Sequence, residues 1–251
     1  MTQERLHVDY LFADPPRDPD AAPADYDMLC FECCGAELYG EIMWPDGSFG
    51  GRRPCVILAH GYPGVARNDD LAFALRRIGC VVVTVHHRGA WGSQGKYLVS
   101  NCVQDIVALC AHVRSPDFCR TYRTDPDALF LVGHSMGGNS VLQAARQVKG
   151  VRGLVLLAPY DPTRLLREGD EAGVMPLLRT GYILRCDGLD AILRDMQARS
   201  FLLLCACVLE QRKRDGFSTK FDVFHNANLN WQTTFSYYDM LLMRRCCYAK
   251  I

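Results

Sequence analysis

The sequence has no excess charge of either sign and no long apolar run. Its 251 residues include 28 basic and 28 acidic side chains, so no overall field attracts nucleic acid or anionic lipid. The longest apolar run, residues 201–209, has nine residues, whereas a membrane-spanning helix needs about 20. The first residues lead into no apolar signal region. We therefore expect a cytoplasmic protein that binds neither nucleic acid nor membranes.

Cysteine is abundant, but the patterns that would give it a special role are missing. The count of 13 is odd, and without an export signal we expect no disulfide framework. Cys30 and Cys33 have a spacing seen in zinc sites, but no second C-x-x-C and no H-x-x-x-H pair follows. We interpret the cysteines as small apolar residues of strands and helices. A cysteine-based metal or redox site is the alternative.

The composition is that of a chain able to fold around a sizeable core. Hydrophobic residues make up 49% and charged residues 22% of the sequence, so the chain does not have the composition of a disordered protein. Its length suits one large α/β domain or two small ones. Residues 1–27 are predicted to be an N-terminal arm, because residues 14–27 hold four prolines and five aspartates.

Strand and helix patterns alternate after this arm. Two short strands at residues 28–33 and 37–43 flank Gly35 and are typical of an antiparallel hairpin. Alternation of strand and helix beyond it predicts a mostly parallel sheet with helices on both faces. Asp69 or Asp70 is predicted to cap the first helix. The predicted strands are residues 54–59, 80–85, 127–132 and 151–158, and the predicted helices are residues 69–77, 99–113 and 136–148.

Residues 162–199 interrupt this alternation. They look helical, but Gly173, Pro176, Gly181 and Gly188 are expected to break the helices. A strand pattern resumes only at residue 201. We predict that this insertion forms a small helical cap over the carboxyl edge of the sheet, which is where open α/β sheets bind ligands.

The strongest functional motif is Gly-His-Ser-Met-Gly at residues 133–137. It has the form G-x-S-x-G, with an apolar strand before it and a helix after it, so the predicted sharp turn would expose the Ser135 side chain above the sheet. The small residues are needed because the backbone folds tightly there. A phosphate-binding loop is excluded, because no Gly-Lys-Ser/Thr follows and G-x-G-x-x-G is absent.

A second motif, His-Gly-Tyr-Pro-Gly at residues 60–64, follows the first buried strand. A tetrahedral intermediate needs two hydrogen-bond donors aimed at its oxyanion. The residue after the nucleophile supplies one, here the Met136 N–H, and a loop after an earlier strand supplies the other. Tyr62 N–H is the candidate, because Pro63 has no N–H. The alternative is a plain turn at this position.

Together these motifs resemble those of a known superfamily. HGxPG, HxRGxWGSxG and GHSMGG occur in order between residues 60 and 138, and the chain resembles bacterial α/β-hydrolase serine hydrolases related to dienelactone hydrolases and prolyl-oligopeptidase-type peptidases. The resemblance covers about residues 28–160 and implies an α/β-hydrolase domain over residues 28–251. It implies Ser135 as nucleophile and the Met136 and Tyr62 amides as oxyanion hole.

The resemblance also suggests roles for residues near these motifs. In such families the loop that holds Arg88, Gly89, Trp91 and Gly92 lies beside the site, and we interpret these residues as structural or substrate-lining. His60 and His134 are interpreted as packing or hydrogen-bonded side chains rather than bases. His86 and His87 end a strand on the same edge and at most line the pocket.

The acid and the histidine of a triad are harder to assign. They should follow Ser135 in that order, and His225 is the only histidine beyond it, so a triad in the usual order requires His225 as base. The alternative interpretation is that His225 is an exposed loop histidine. The candidate acids are Glu210 and Asp215, with Asp161 as an outsider. Residues 211–220 are too few for the usual helix and its loops, so residues 205–251 are predicted to diverge from the family.

These observations predict a serine hydrolase. Ser135 would cleave an ester, thioester or amide bond of a small molecule or short peptide through an acyl-serine intermediate. Such chemistry needs no metal and no organic cofactor. The alternative is a catalytically impaired or non-catalytic protein of the same fold that lacks a working acid–histidine pair.

Overall fold

A six-stranded sheet with helices on both faces forms the fold. The computed structural model describes residues 6–65, 67–160 and 171–198, together with Leu166 and Gly169. In these ranges the strands are β1 (Asp25–Cys33), β2 (Ala36–Trp44), β3 (Arg53–Ala59), β4 (Val81–Val85), β5 (Thr124–His134) and β6 (Val151–Leu157). The helices are α1 (Asp69–Arg77), α2 (Val99–Val113), α3 (Pro116–Thr121), α4 (Met136–Gln147), α5 (Glu171–Arg179) and α6 (Leu189–Gln197).

The sheet is mixed, and most of it is parallel. Its spatial order is β1-β2-β4-β3-β5-β6. β1 pairs with β2, and β2 with β4, in antiparallel fashion, whereas β4, β3, β5 and β6 run parallel. The predicted α/β class, with an antiparallel hairpin before a parallel sheet, is confirmed.

Helices cover both faces of the sheet, so its central strands are apolar throughout. Every residue of β4, Val81–Val85, is buried, as expected for a strand with a core on each side. One core packs α2 and α4 against the sheet, and the other packs α1 against the opposite face. Ile57 and Leu58, neighbours in β3, belong to these two different cores, because successive side chains of a strand point to opposite faces.

The structure differs from the sequence-based expectation in three helices, α1, α3 and α5. Asn68, not Asp69 or Asp70, is the N-cap of α1, and it adopts a left-handed conformation with φ of 60°. Both aspartates lie in the first helical turn, where their negative charges interact favourably with the positive end of the helix dipole. Helix α3 was not predicted, although Ser115 caps it and Pro116 begins it, which is a recognised start signal.

The third difference concerns Gly173 and Pro176, which were expected to break a helix. Both lie inside α5 and do not end it. Proline removes one backbone donor from a helix. The carbonyl that this donor would have bonded belongs to the exposed residue Ala172, and at an exposed position water can take the place of the donor. Gly181 and Gly188 do lie outside the helices, between α5 and α6, as predicted.

Replacing Ile57 with alanine should destabilise the protein strongly. Its side chain is completely buried in the central strand β3, and deleting three carbons from a packed core costs about 2–5 kcal/mol of unfolding free energy. Urea unfolding would measure the loss. Ile183→Ala is the matched control, because Ile183 is 41% exposed and should lose less than about 1 kcal/mol. Equal losses in the two variants would contradict the core assignment.

Candidate active site

Ser135 lies at the turn between β5 and α4, in a backbone conformation that few residues adopt. Its φ is 53° and its ψ is −120°, a combination that is costly for any residue other than glycine. Hydrogen bonds on both sides hold the turn. Ser135 N–H donates to the Leu157 carbonyl over 2.9 Å, and its own carbonyl accepts from Tyr160 N–H over 2.9 Å.

The glycines of the motif are required by close approach of the backbone. A Cβ atom on Gly133 would collide with the Gly137 carbonyl oxygen, and one on Gly137 would collide with the carbonyl oxygens of Ala59 and His60. No side chain can relieve these contacts, because the atoms met are backbone atoms. The two glycines therefore allow α4 to begin directly against β3 and β5.

Strand register brings the two sequence motifs together. In the parallel pair of β3 and β5, Ala59 is opposite Gly133, so the loop of residues 60–64, here called the oxyanion loop, begins beside Ser135. A Cβ atom on Gly61 would lie 3.0 Å from Ser135 Cβ. Met136 is the first residue of α4, where backbone N–H groups have no partner within the helix. The structure thus places Ser135, Met136 and the loop that holds Tyr62 at one edge of the sheet.

Helices α5 and α6 cover this edge. Residues 171–198, the cap segment, contribute Val174, Leu178, Leu184, Ile192, Leu193 and Met196 to an apolar cluster that also contains Tyr62 and Met136. Both Tyr62 and Met136 are consequently buried. A site at Ser135 is therefore bounded on one side by polar backbone and on the other by apolar side chains of the cap segment.

Polar bonds attach the cap segment to the loop after β4. Arg185 N–H donates to the Gly89 carbonyl over 2.8 Å, and its guanidinium donates to the carbonyls of Ser93 and Gly95, each over 2.9 Å. Asp195 accepts the Ser100 N–H in the first turn of α2 over 2.9 Å. The loop with Arg88, Gly89, Trp91 and Gly92, expected beside the site, is thus in contact with the cap segment.

A buried ion pair holds that same loop. Asp105 of α2 is fully buried, and it accepts from Arg88 Nε over 2.6 Å and from Arg88 N–H over 3.0 Å. Arg88 also donates to Gln104 Oε1 over 2.8 Å. Burial alone would raise the pKa of Asp105, but His87 and Arg88 beside it outweigh burial and lower that pKa. Asp105 is therefore ionised and fixes the start of the loop.

His60 and His87 are buried, whereas His86 and His134 are half-buried. His87 Nδ1 lies 3.4 Å from Asp105 Oδ2. Burial opposes protonation of His87, but the neighbouring Cys102 and Asp105 outweigh it and raise the His87 pKa. The ring of His60 lies 5.3 Å from that of His87, and burial together with His87 lowers the His60 pKa to about 3. His60 is therefore neutral and far too weak a base to accept a proton from serine.

The remaining predicted site residues cannot be compared with the structure. His225, Glu210, Asp215 and Asp161 lie outside the described residues. Asp105, in contrast, was not singled out from the sequence. The available signal was an acidic residue beside Ile106 on the apolar face of α2, where a fully buried carboxylate needs a charged partner.

The cysteines of the described ranges offer no assembled metal site. Cys30 is exposed and Cys33 buried, as expected for residues on opposite faces of β1. Among the described residues no group of three or more His, Cys, Asp or Glu side chains is placed to hold a metal ion. In the same part of the chain, none of the helices has the length and apolarity needed to cross a bilayer.

Solved structures share this architecture at low sequence identity. A hypothetical protein, PA2218, from Pseudomonas aeruginosa superposes with a TM-score of 0.50 and 18% identity over 72% of this chain and 56% of that one. Brefeldin A esterase, a bacterial homologue of human hormone sensitive lipase, superposes with a TM-score of 0.49 and 20% identity over 76% of this chain and 56% of that one. DcsB, solved with a substrate analogue, superposes with a TM-score of 0.48 and 19% identity over 62% of this chain and 52% of that one. The chain thus spans little more than half the length of these structures.

The strand order, the turn at Ser135 and the adjoining loop are those of the α/β-hydrolase fold. A family model described as serine aminopeptidase, S33 (Hydrolase_4), matches residues 50–167, just under half of the chain. No curated protein matches the sequence. The fold that the resemblance of the sequence motifs implied is confirmed.

Replacing Asp105 with asparagine should destabilise the protein by about 3–5 kcal/mol at pH 7, because it leaves the buried Arg88 charge uncompensated. The folded-state pKa of Asp105 is lowered, so its stabilising effect is present above the unfolded pKa of about 3.9 and is lost as the pH falls through the folded value. Urea unfolding at pH 7 and at pH 3 would show the difference from wild type shrinking at the lower pH.

Asp187→Asn is the matched control for this substitution. Its carboxylate pairs with Lys96 at the surface, where the two side chains are 62% and 58% exposed, and exposed pairs contribute about 0–1 kcal/mol. A loss for Asp105→Asn no greater than that for Asp187→Asn would show that the buried pair does not hold the loop.

Proposed function

We propose that the protein is a serine hydrolase that cleaves an ester, thioester or amide bond through an acyl-serine intermediate. The observation that carries this proposal is the conformation of Ser135, with φ of 53° at a strand-to-helix turn directly against the oxyanion loop. Such a turn exposes a serine hydroxyl at the top of the sheet. A merely structural serine would gain nothing from a backbone conformation that destabilises the fold.

The chemistry follows from the neighbours of Ser135. As its hydroxyl proton passes to a base, Ser135 Oγ bonds to the substrate carbonyl carbon, and the carbonyl oxygen becomes an oxyanion. The Met136 and Tyr62 N–H groups donate hydrogen bonds to that oxygen, and donors of this kind act mainly in the transition state. The leaving group takes the proton as its bond breaks, and water then releases the acyl group from Ser135 by the same steps.

His225 is proposed as the base of this reaction. It is the only histidine after Ser135 in the sequence, and the order nucleophile, acid, histidine is typical of the fold. Glu210 or Asp215 is proposed as the acid, with Asp161 as a third candidate. The low pKa of His60 supports this assignment indirectly, because it removes the histidine within the oxyanion loop from consideration as the base.

The proposed substrate is a small molecule or a short peptide with an apolar portion. The apolar side chains that the cap segment contributes beside Met136 and Tyr62 support this proposal. They limit the space over the edge of the sheet, and they favour substrate groups that water solvates poorly. Neither a metal nor an organic cofactor takes part in the proposed reaction.

Ser135→Ala should abolish covalent labelling by a fluorophosphonate, because this probe reacts with an activated serine hydroxyl. Labelling of the purified protein would be detected by intact mass. Ser48→Ala is the matched control, since Ser48 is an exposed serine in the turn after β2, and it should label like the wild type. A folded wild-type protein that remains unlabelled would favour the impaired, non-catalytic alternative.

Substituting His225 with alanine should lower the turnover of a short-chain aryl ester by about 10²–10⁴-fold, the usual contribution of a general acid–base. His112→Ala serves for comparison, because His112 lies among Phe31 and Phe118 at the end of α2 and takes no part in the proposed reaction. Turnover would be followed by release of the aryl alcohol. Unchanged turnover in His225→Ala would remove His225 from the mechanism while leaving Ser135 in place.

A further inference from the structure

The side chain of Tyr62 links two parts of the molecule that are far apart in sequence. Its hydroxyl donates a hydrogen bond to the Leu178 carbonyl over 2.7 Å, and the two residues are 116 positions apart. Its ring packs edge to face on Tyr97, with centroids 5.5 Å apart. The same residue therefore contributes a backbone N–H to the oxyanion loop and a side chain to the base of the cap segment.

The acceptor of this bond lies at the end of a cap helix. Leu178 is the penultimate residue of α5, where carbonyls have no partner within the helix, and its oxygen also accepts the Gly181 N–H over 3.0 Å. A Cβ atom on Gly181 would collide with the Tyr62 hydroxyl. The turn after α5 thus packs around the Tyr62 hydroxyl, and a change in the position of α5 must move this hydroxyl.

Several other polar attachments of the cap segment lead to different parts of the protein. Arg185 bonds to Gly89, Ser93 and Gly95 in the loop after β4, and Asp195 bonds to the start of α2. These contacts fix the cap segment to the body of the protein. The bond from Tyr62 to Leu178 instead joins it to the loop whose N–H is the proposed oxyanion donor.

We propose that the Tyr62 hydroxyl couples the cap segment to the oxyanion loop, so that the Tyr62 N–H is held in its catalytic position only while α5 is docked. Tyr62 is then a positioning residue through its side chain as well as a donor through its backbone. This inference rests on the proposed function. It predicts that substrate contacts with the cap segment stabilise the transition state and do not only strengthen substrate binding.

Tyr62→Phe tests the coupling, because it keeps the ring and removes only the hydroxyl. Hydrogen–deuterium exchange should become about fivefold faster for the amides of residues 60–64 and of residues 174–184, the factor that corresponds to one lost hydrogen bond. Tyr97→Phe is the matched control. Tyr97 is buried in the same apolar cluster. Its backbone N–H donates to the Arg185 carbonyl of the cap segment over 2.8 Å, and the substitution keeps that bond, so residues 60–64 should exchange as in the wild type.

Kinetics supply the second measurement. For a short-chain aryl ester, Tyr62→Phe should lower kcat about five- to tenfold with KM changed less than twofold, because an oxyanion donor acts in the transition state. Tyr97→Phe should retain the wild-type kcat. If the two tyrosine hydroxyls only stabilised the fold, both variants would have a lower melting temperature, and kcat of the remaining folded enzyme would be unchanged.

The outcomes separate the two proposals. Wild-type exchange in residues 60–64 of Tyr62→Phe, or faster exchange on only one side of the bond, overturns the coupling even if the enzyme is active. A wild-type protein that neither labels nor turns over ester overturns the proposed function. In that case exchange that rises on both sides in Tyr62→Phe but not in Tyr97→Phe still supports the mechanical link between cap and loop.

Discussion

The close approach of three backbone segments at the carboxyl edge of the sheet is the constraint on which the site depends. The carbonyls of Ala59 and His60 occupy the space that any side chain at position 137 would need, and the start of α4 likewise leaves no room for a side chain on Gly133. With two glycines there, α4 can begin against β3, directly after Ser135. The oxyanion loop then follows from strand register, since Ala59 pairs with Gly133.

Side-chain contacts outside the sheet hold the loop after β4, which the sheet itself does not position. The loop after β4 has no regular structure of its own, and it is fixed from below by the buried pair of Arg88 and Asp105 and from above by Arg185 of the cap segment. Breaking a buried pair leaves an uncompensated charge, so this arrangement is sensitive to single substitutions. Electrostatics also reach the oxyanion loop, where burial and then the neighbouring His87 lower the pKa of His60 and keep it neutral.

Local patterns predicted the parts of the fold that depend on local physics. The apolar run of β4, the periodicity of α2 and the turn around Ser135 each involve neighbours within a few residues, and the predicted bounds of α2 agree with the structure. Asp105 was missed because its partner, Arg88, is 17 positions away. The hydroxyl of Tyr62 was missed for the same reason, and Pro176 was misjudged because an exposed carbonyl can be satisfied by water instead of the helix.

The backbone angles of Ser135 cost stability at the position that the proposed activity requires. Glycine adopts a φ of 53° without the steric cost that a serine Cβ brings, so the substitution that would most relax this turn is also one that deletes the nucleophile. Relief of the strain at this turn and loss of the proposed nucleophile would therefore come from one and the same substitution.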